Sequence, residues 1–227
     1  MVRLVHGQGT IIAQHIGSNN PTSEGFVLYA NYQYASPPVG GIANDLGYNA
    51  WVTGNWPYGL LYSNNIGNMS SENWALSVTV RVLPTGTVPE IFFANVDTGS
   101  SQYGLGFGSD INGDQIVSIG STKFTLNGGS TYNNYQLIYS SDTETASFWI
   151  DGTEELSGIV PQPDSSPASL EWGENGFQAP SQQANWNLVS LEVTPEPSAV
   201  SLIILGSGFL IYVRNRNKKN SAPTKPN

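Results

Sequence analysis

Asp110-Ile111-Asn112-Gly113-Asp114 offers side-chain oxygens at alternate positions of one short turn. A hard cation such as calcium takes ligands of this kind, which makes Asp110, Asn112 and Asp114 its candidate ligands and calcium the candidate cofactor. The helix–loop–helix calcium pattern does not continue, because Gln115 stands where its turn glycine would fall and Ser121 where its last glutamate would fall. Asn112-Gly113 is equally a two-residue hairpin turn, and both uses of these residues stay open.

Glycoside hydrolysis needs two carboxyl groups, about 5–5.5 Å apart for retention or about 6.5–9.5 Å for inversion. Alternate residues of one strand share a face, so a Glu-x-Asp-x-Glu string would supply them; none occurs. Glu154-Glu155 would point to opposite faces, and Glu171 and Glu174 would be split by their odd spacing unless a turn joined them. Solvated loop acids are the plainer expectation, and no catalytic residue is assigned. His6 and His15 are the only histidines. They give no Ser-His-Asp arrangement, and His15 is expected to be an ordinary strand residue. The absence of cysteine excludes disulfides, thiolate metal sites and cysteine nucleophiles. Gly104-Leu-Gly-Phe-Gly108 lacks the following helix and Lys-Ser/Thr of a phosphate loop, so strand glycines beside close neighbours explain it better. Among six tryptophans, Trp51, Trp56 and Trp172 lie near Gly, Asn and Pro and are candidate sugar-stacking ligands, while Trp74, Trp149 and Trp186 are assigned to packing.

The elements that must carry these residues read as strands. Apolar or alternating runs at 10–16, 26–29, 48–53, 58–62, 74–83, 90–95, 103–108, 115–119, 123–126, 135–140, 145–151 and 186–193 are separated by turn residues such as Asn127-Gly128-Gly129 and Asp151-Gly152. Only 63–73 suggests a helical turn. Short strands without an amphipathic helix predict an all-β fold of two stacked antiparallel sheets, over residues 10–193.

The ends of the chain differ from this body. Sixteen of the seventeen acids precede Pro195, with only Arg3, Arg81 and Lys123 as bases, so an acidic body would be repelled by nucleic acid. Residues 1–9 are expected to be a flexible start without an adequate signal-peptide core, the true start lying upstream. Residues 194–198 form a linker in which Pro195 and Pro197 deny the backbone its donors. Residues 199–213 carry no charge and would span roughly 22 Å as a membrane helix. Arg214, Arg216, Lys218 and Lys219 follow in a basic tail, 214–227, that would stay cytoplasmic while the acidic body lies outside.

Pro195-Glu196-Pro197, an apolar stretch containing Gly206 and Gly208, and the basic cluster together resemble a PEP-CTERM sorting signal, apart from the added Ser221–Asn227. The resemblance implies export, transient inner-membrane anchoring, processing by an exosortase and delivery to the cell surface or extracellular matrix. Residues 132–159, with a strand, a polar turn, a second strand and Asp151-Gly152, resemble a hairpin of concanavalin A-like and laminin-G-like jelly rolls. The closing Trp186–Val193 fits the terminal strand of that fold, which pairs back near the N-terminus. These motifs are structural. They imply a non-catalytic surface domain with polysaccharide as a partner, set beside a diverged glycan hydrolase or lyase and a purely structural matrix protein.

Overall fold

Trp74, Leu76, Val78, Val80 and Val82 are fully buried, whereas Ser77, Thr79 and Arg81 between them are partly exposed. This period of two is what a strand with one face on a core requires. The same logic repeats along the chain. The computed structural model describes residues 9–30, 40–54, 60–83, 92–174 and 183–194, and the compact unit they build runs Gly9–Thr194. Trp56, the Pro195-Glu196-Pro197 motif, segment 199–213 and Arg214, Arg216, Lys218 and Lys219 lie outside the described residues.

Along the described chain the strands are β1 (Thr10–Ile16), β2 (Val27–Ala30), β3 (Gly41–Asp45), β4 (Tyr48–Gly54), β5 (Leu60–Asn65) and β6 (Trp74–Leu83). They continue with β7 (Phe92–Asp97), β8 (Ser101–Ser109), β9 (Gln115–Ile119), β10 (Thr122–Leu126) and β11 (Asn133–Ser140). The last are β12 (Thr145–Ile150), β13 (Thr153–Ile159), β14 (Gln162–Pro163), β15 (Ser169–Glu174) and β16 (Gln183–Val193). One 3₁₀ turn, Pro21–Glu24, is capped by Asn20, whose side chain accepts from Thr22 N. The helical turn expected at 63–73 is absent: Ser63–Asn65 completes β5, and the Asn65 and Asn68 side chains then accept from Gly67 N and Ser70 N in tight polar turns.

Two antiparallel sheets result, an all-β sandwich consistent with a jelly roll. The first has the order β13-β12-β11-β6-β16-β4-β3, with β1 also on β16. The second has the order β10-β9-β8-β7-β15-β5-β2, with β14 on β8. Strand β16 pairs with β6 on one side, and with β4 and then β1 on the other. The terminal strand therefore does return to the N-terminal one. At Asp151-Gly152 both residues take positive φ, 49° and 82°, the geometry of the tight turn that joins β12 to β13.

Inward side chains of both sheets interdigitate in one aromatic-rich core. Trp172 stacks on Tyr62 at 4.8 Å and meets Trp186 at 5.2 Å and the edge of Phe26 at 5.8 Å. Trp51 donates from Nε1 to Tyr62 Oη at 3.0 Å, and Trp186 Nε1 donates to Thr53 Oγ1 at 2.7 Å. Both indoles are buried, and these bonds meet the polar requirement that burial creates.

Candidate functional site

Trp51 and Trp172, expected near exposed loops, are 6% and 0% exposed and belong to the core. Trp172 lies on β15, a strand with only two large apolar residues, and its alternation with Glu171 turns it inward. Trp149 moves the other way. It alternates with the buried Phe148 and Ile150, so it stands on the outer face of its sheet, half-buried, donating to Ser147 Oγ at 2.9 Å.

The 110–114 turn is a self-contained hairpin between β8 and β9. Asp110 Oδ1 accepts from Asn112 N at 2.8 Å and Asp114 N at 2.9 Å, and Asn112 Nδ2 donates to Asp110 Oδ2 at 3.2 Å. Asp114 Oδ1 instead accepts from Gly128 N and Gly129 N, at 3.1 and 2.9 Å, holding the connection from β10 to β11. Among the described residues, no three His, Cys, Asp or Glu side chains converge as a metal cluster.

His15 is fully buried on β1. Its Nδ1–H donates to Glu24 Oε2 at 2.7 Å. Glu24 Oε1 accepts from Ile16 N and Asn19 Nδ2, so this carboxylate also ties down the chain after β1. Burial holds the imidazole below its usual pKa, against the opposing pull of Glu24.

A second polar knot covers the outer face of the first sheet. The Arg81 guanidinium pairs with Asp45 Oδ1 and donates from Nε to Ser130 O at 2.9 Å. Asp45 Oδ2 accepts from Asn185 Nδ2 at 2.7 Å and Tyr132 Oη at 3.2 Å. Burial works against the Asp45 carboxylate, but its bonds to Arg81, Asn185 and Tyr132 outweigh that and lower its pKa. With its carboxylate and guanidinium engaged with one another, this knot is a structural clamp.

The outer face of the second sheet is different. There the backbone register aligns two polar rows across β5, β15, β7 and β8. Ser63 faces Glu171, which faces Asn95, which faces Gly104; one step along, Asn65 faces Ser169, which faces Asp97, which faces Gln102. Residues 166–168 wall one side, and the cleft encloses about 430 Å³. Its lining is amide, hydroxyl and carboxyl, with Leu61, Pro167 and Ala168 as apolar contact. A methyl group at Gly104 would run into Asn95 Oδ1, so the glycine leaves the Asn95 amide its place in the cleft.

Glu171 and Asp97 thus share a cleft, whereas Glu174 points into the core, as the odd spacing of the two glutamates predicts for an extended chain. Burial raises the Glu171 pKa, against a hydrogen bond from Ser63 Oγ at 3.4 Å, and Asp97 and Asp164 add to the rise. Burial also raises the Asp97 pKa, opposed by Gly99 N–H and reinforced by Asp164. Sequence reasoning missed this cleft. Its residues come from four strands and a loop, and β15 does not announce itself by periodicity.

No protein-family profile and no curated protein matches the sequence. Solved structures do match in fold. The conserved carbohydrate esterase of Shiga toxin-encoding bacteriophage phi24B superposes with a TM-score of 0.61 at 10% identity, covering 83% of this chain and 100% of that one. The binding domain of botulinum neurotoxin serotype D gives 0.55 at 11% identity, covering 87% of this chain and only 51% of that one. Domain 4 of AbnA, an extracellular GH43 arabinanase from Geobacillus stearothermophilus solved with arabinotriose, gives 0.50 at 15% identity, covering 86% and 98%. At these identities the likeness establishes the sandwich fold alone.

Proposed function

We propose that the sandwich is a glycan-binding domain whose cleft on the second sheet receives a short stretch of polysaccharide. One observation carries this: a cleft of about 430 Å³ in which Asn65, Asn95 and Gln102, together with the Ser63 and Ser169 hydroxyls, line two parallel rows. Side-chain amides both donate and accept while carboxylates accept at two oxygens, which suits vicinal hydroxyls, and a volume of this size lies within the usual range of ligand pockets. Three sandwiches of similar fold are a carbohydrate esterase, a toxin binding domain and an arabinanase domain in complex with arabinotriose. That company supports the reading without choosing the sugar.

The C-terminal segment bears on where the domain acts. The order Pro195-Glu196-Pro197, apolar stretch, basic cluster supports export and exosortase processing, with delivery to the cell surface or extracellular matrix. Replacing the Pro-Glu-Pro motif should abolish processing while leaving membrane insertion intact; an unchanged product size would sink the sorting assignment.

A glycan-array screen of the full chain tests the cleft. Selective binding that falls at least tenfold in Asn95→Ala and Glu171→Gln, with unchanged thermal unfolding, is the expected result. Binding indifferent to both changes would remove the cleft, and no binding at all would leave a structural matrix protein. A diverged glycan hydrolase is the second reading, favoured by Asp97 and Glu171 lining one cleft. Release of reducing ends from bound glycan, lost in Glu171→Gln, would promote it.

A further inference from the structure

Asp97 lines the cleft yet is 3% exposed, and its Oδ2 is buried without a hydrogen-bond donor among the described residues. A buried carboxylate oxygen left without a donor is costly. Two further acids add to the cost. The Asp164 carboxyl lies within hydrogen-bonding reach of Asp97, and Glu171 is close enough to feel both charges. Asp97 faces Ser169 in the register of β7 and β15, and Glu171 stands two residues further along β15. The two cleft acids are therefore diagonal neighbours on one face, roughly 7 Å apart.

Among the described residues no base lines this cleft. Before Pro195 the chain carries only Arg3, Arg81 and Lys123. Arg81 is held by Asp45 on the first sheet, Lys123 stands on β10 at the end of the second, and Arg3 lies outside the described residues. The acids are also kept from turning away. Asp97 Oδ1 accepts from Gly99 N at 2.8 Å, and Asp164 Oδ1 accepts from Ser166 N and Ser166 Oγ, each at 2.9 Å. Burial raises the pKa of Asp97 and of Glu171, and the neighbouring acids raise both further, as expected of negative charge without an opposite.

We propose that the glycan this cleft takes is an amino-sugar polymer with free ammonium groups, one of which seats between Asp97 and Glu171. The proposal deepens the glycan-binding reading and rests on it. A neutral sugar hydroxyl donates one bond to Asp97 Oδ2 but leaves the repulsion among the acids in place. An ammonium brings three donors and a positive charge, so it satisfies Oδ2, reaches Glu171 and keeps one donor for Ser169 or water. N-acetylation of the amine removes that charge, and a uronate brings the wrong sign into an acidic cleft. A lysine side chain carries the same charge, but it lacks the ring hydroxyls that Asn65, Asn95 and Gln102 are placed to read.

Calorimetric titration of the full chain tests it, in EDTA and at about 0.15 M salt to screen exposed charge. The ligands are a glucosamine tetramer, its fully N-acetylated counterpart, cellotetraose, tetragalacturonate and tetralysine. The glucosamine tetramer should bind at least tenfold tighter than each of the others. Asp97→Asn and Glu171→Gln should each erase that preference, while Glu155→Gln, which removes the same charge from exposed β13, leaves it intact. Both cleft substitutions are near-isosteric, and circular dichroism of each variant checks the fold. Equal or tighter binding of the N-acetylated tetramer, still weakened by Asn95→Ala, would overturn the ammonium seat and leave the glycan cleft standing. A preference that survives both cleft substitutions would reduce it to general attraction to an acidic protein, and overturn it too. Tetralysine binding as tightly as the glucosamine tetramer would overturn it in favour of a cationic peptide. No binding by any of the five would overturn the ammonium seat and the glycan cleft together.

Discussion

The imidazole of His15 lies flat against the indole of Trp172, ring centroids 4.5 Å apart and planes 19° from parallel. One ring comes from the first sheet and the other from the second, so the pair bridges the sandwich. Glu24 holds the imidazole from its far end and leaves Nε2 buried without a donor or acceptor among the described residues. Neutral imidazole suits this site, because the protonated ring would bring a charge into an aromatic core.

His15→Ala should therefore cost about 2–4 kcal/mol, combining a core cavity with a Glu24 carboxylate that loses its buried partner. Urea denaturation at pH 7.5 measures it. Because the folded-state pKa is lowered, the wild-type contribution is present above about pH 6.5 and is lost as pH falls toward the folded value. His15→Ala should flatten that part of the stability profile.

Glu174 has the opposite sign. It is 6% exposed, and burial pushes its pKa up to about 7. A raised carboxylate favours the folded state only while protonated, so its penalty grows as pH rises from about 4.5 to 7. Above that window the cost reaches roughly 3 kcal/mol. Glu174→Gln should accordingly be more stable than wild type at pH 8 and nearly equal at pH 4.5. Equal midpoints at both pH values would show that Glu174 is satisfied when ionised.

The Arg81–Asp45 clamp predicts a loss from either side. Arg81→Ala leaves a partly exposed carboxylate that still serves Asn185 and Tyr132, at a cost of about 1–2 kcal/mol. The double variant Arg81→Met with Asp45→Leu should recover part of that cost, since it removes both charges of this partly buried pair together. Thermal unfolding of the three proteins decides it; a double variant no better than the single would show that Asp45 is needed for its other bonds.

Truncation after Thr194 should leave the sandwich folded. Strand β16 ends at Val193, and Thr194 N still donates to Asn73 O at 2.9 Å, so no strand of the compact unit is removed. Near-ultraviolet circular dichroism of the truncated chain should match that of the full one. A collapsed spectrum would place part of the core beyond Thr194.

Legibility followed the hydrophobic period. Strand β6 declared itself, because Leu76 to Val82 alternate cleanly against one core face, and β16 did so by its apolar residues, although burial of Asn185 and Ser190 and a register shift at Trp186–Leu188 break its period. Strand β15 did not, since Ser169–Glu174 holds two large apolar residues, an inward glutamate and a glycine with φ of 127°, and resembles a turn. Trp172 was misplaced with it. The cleft was beyond reach for another reason: Ser63 meets Glu171 across more than a hundred residues, and only the register of β5, β15 and β7 makes them neighbours. Local turn chemistry, by contrast, was readable at Asp151-Gly152, while Asn112-Gly113 sits in a turn of five residues, 110–114, rather than the two expected.

Strand β16, the last in the described chain, lies in the interior of its sheet, between β6 and the pair β4 and β1. Order of synthesis and order of assembly therefore run against each other. Until residue 183 has emerged, β6 has one open flank and β1, β3 and β4 have no partner that joins them to it. The nascent domain waits as two incomplete halves with exposed strand edges, a state prone to foreign pairing. Completion comes in one late step, when an eleven-residue strand inserts and knits the N-terminal half to the rest. A fold dominated by such distant contacts is slow to form, and its survival before that step depends on whatever shields its edges.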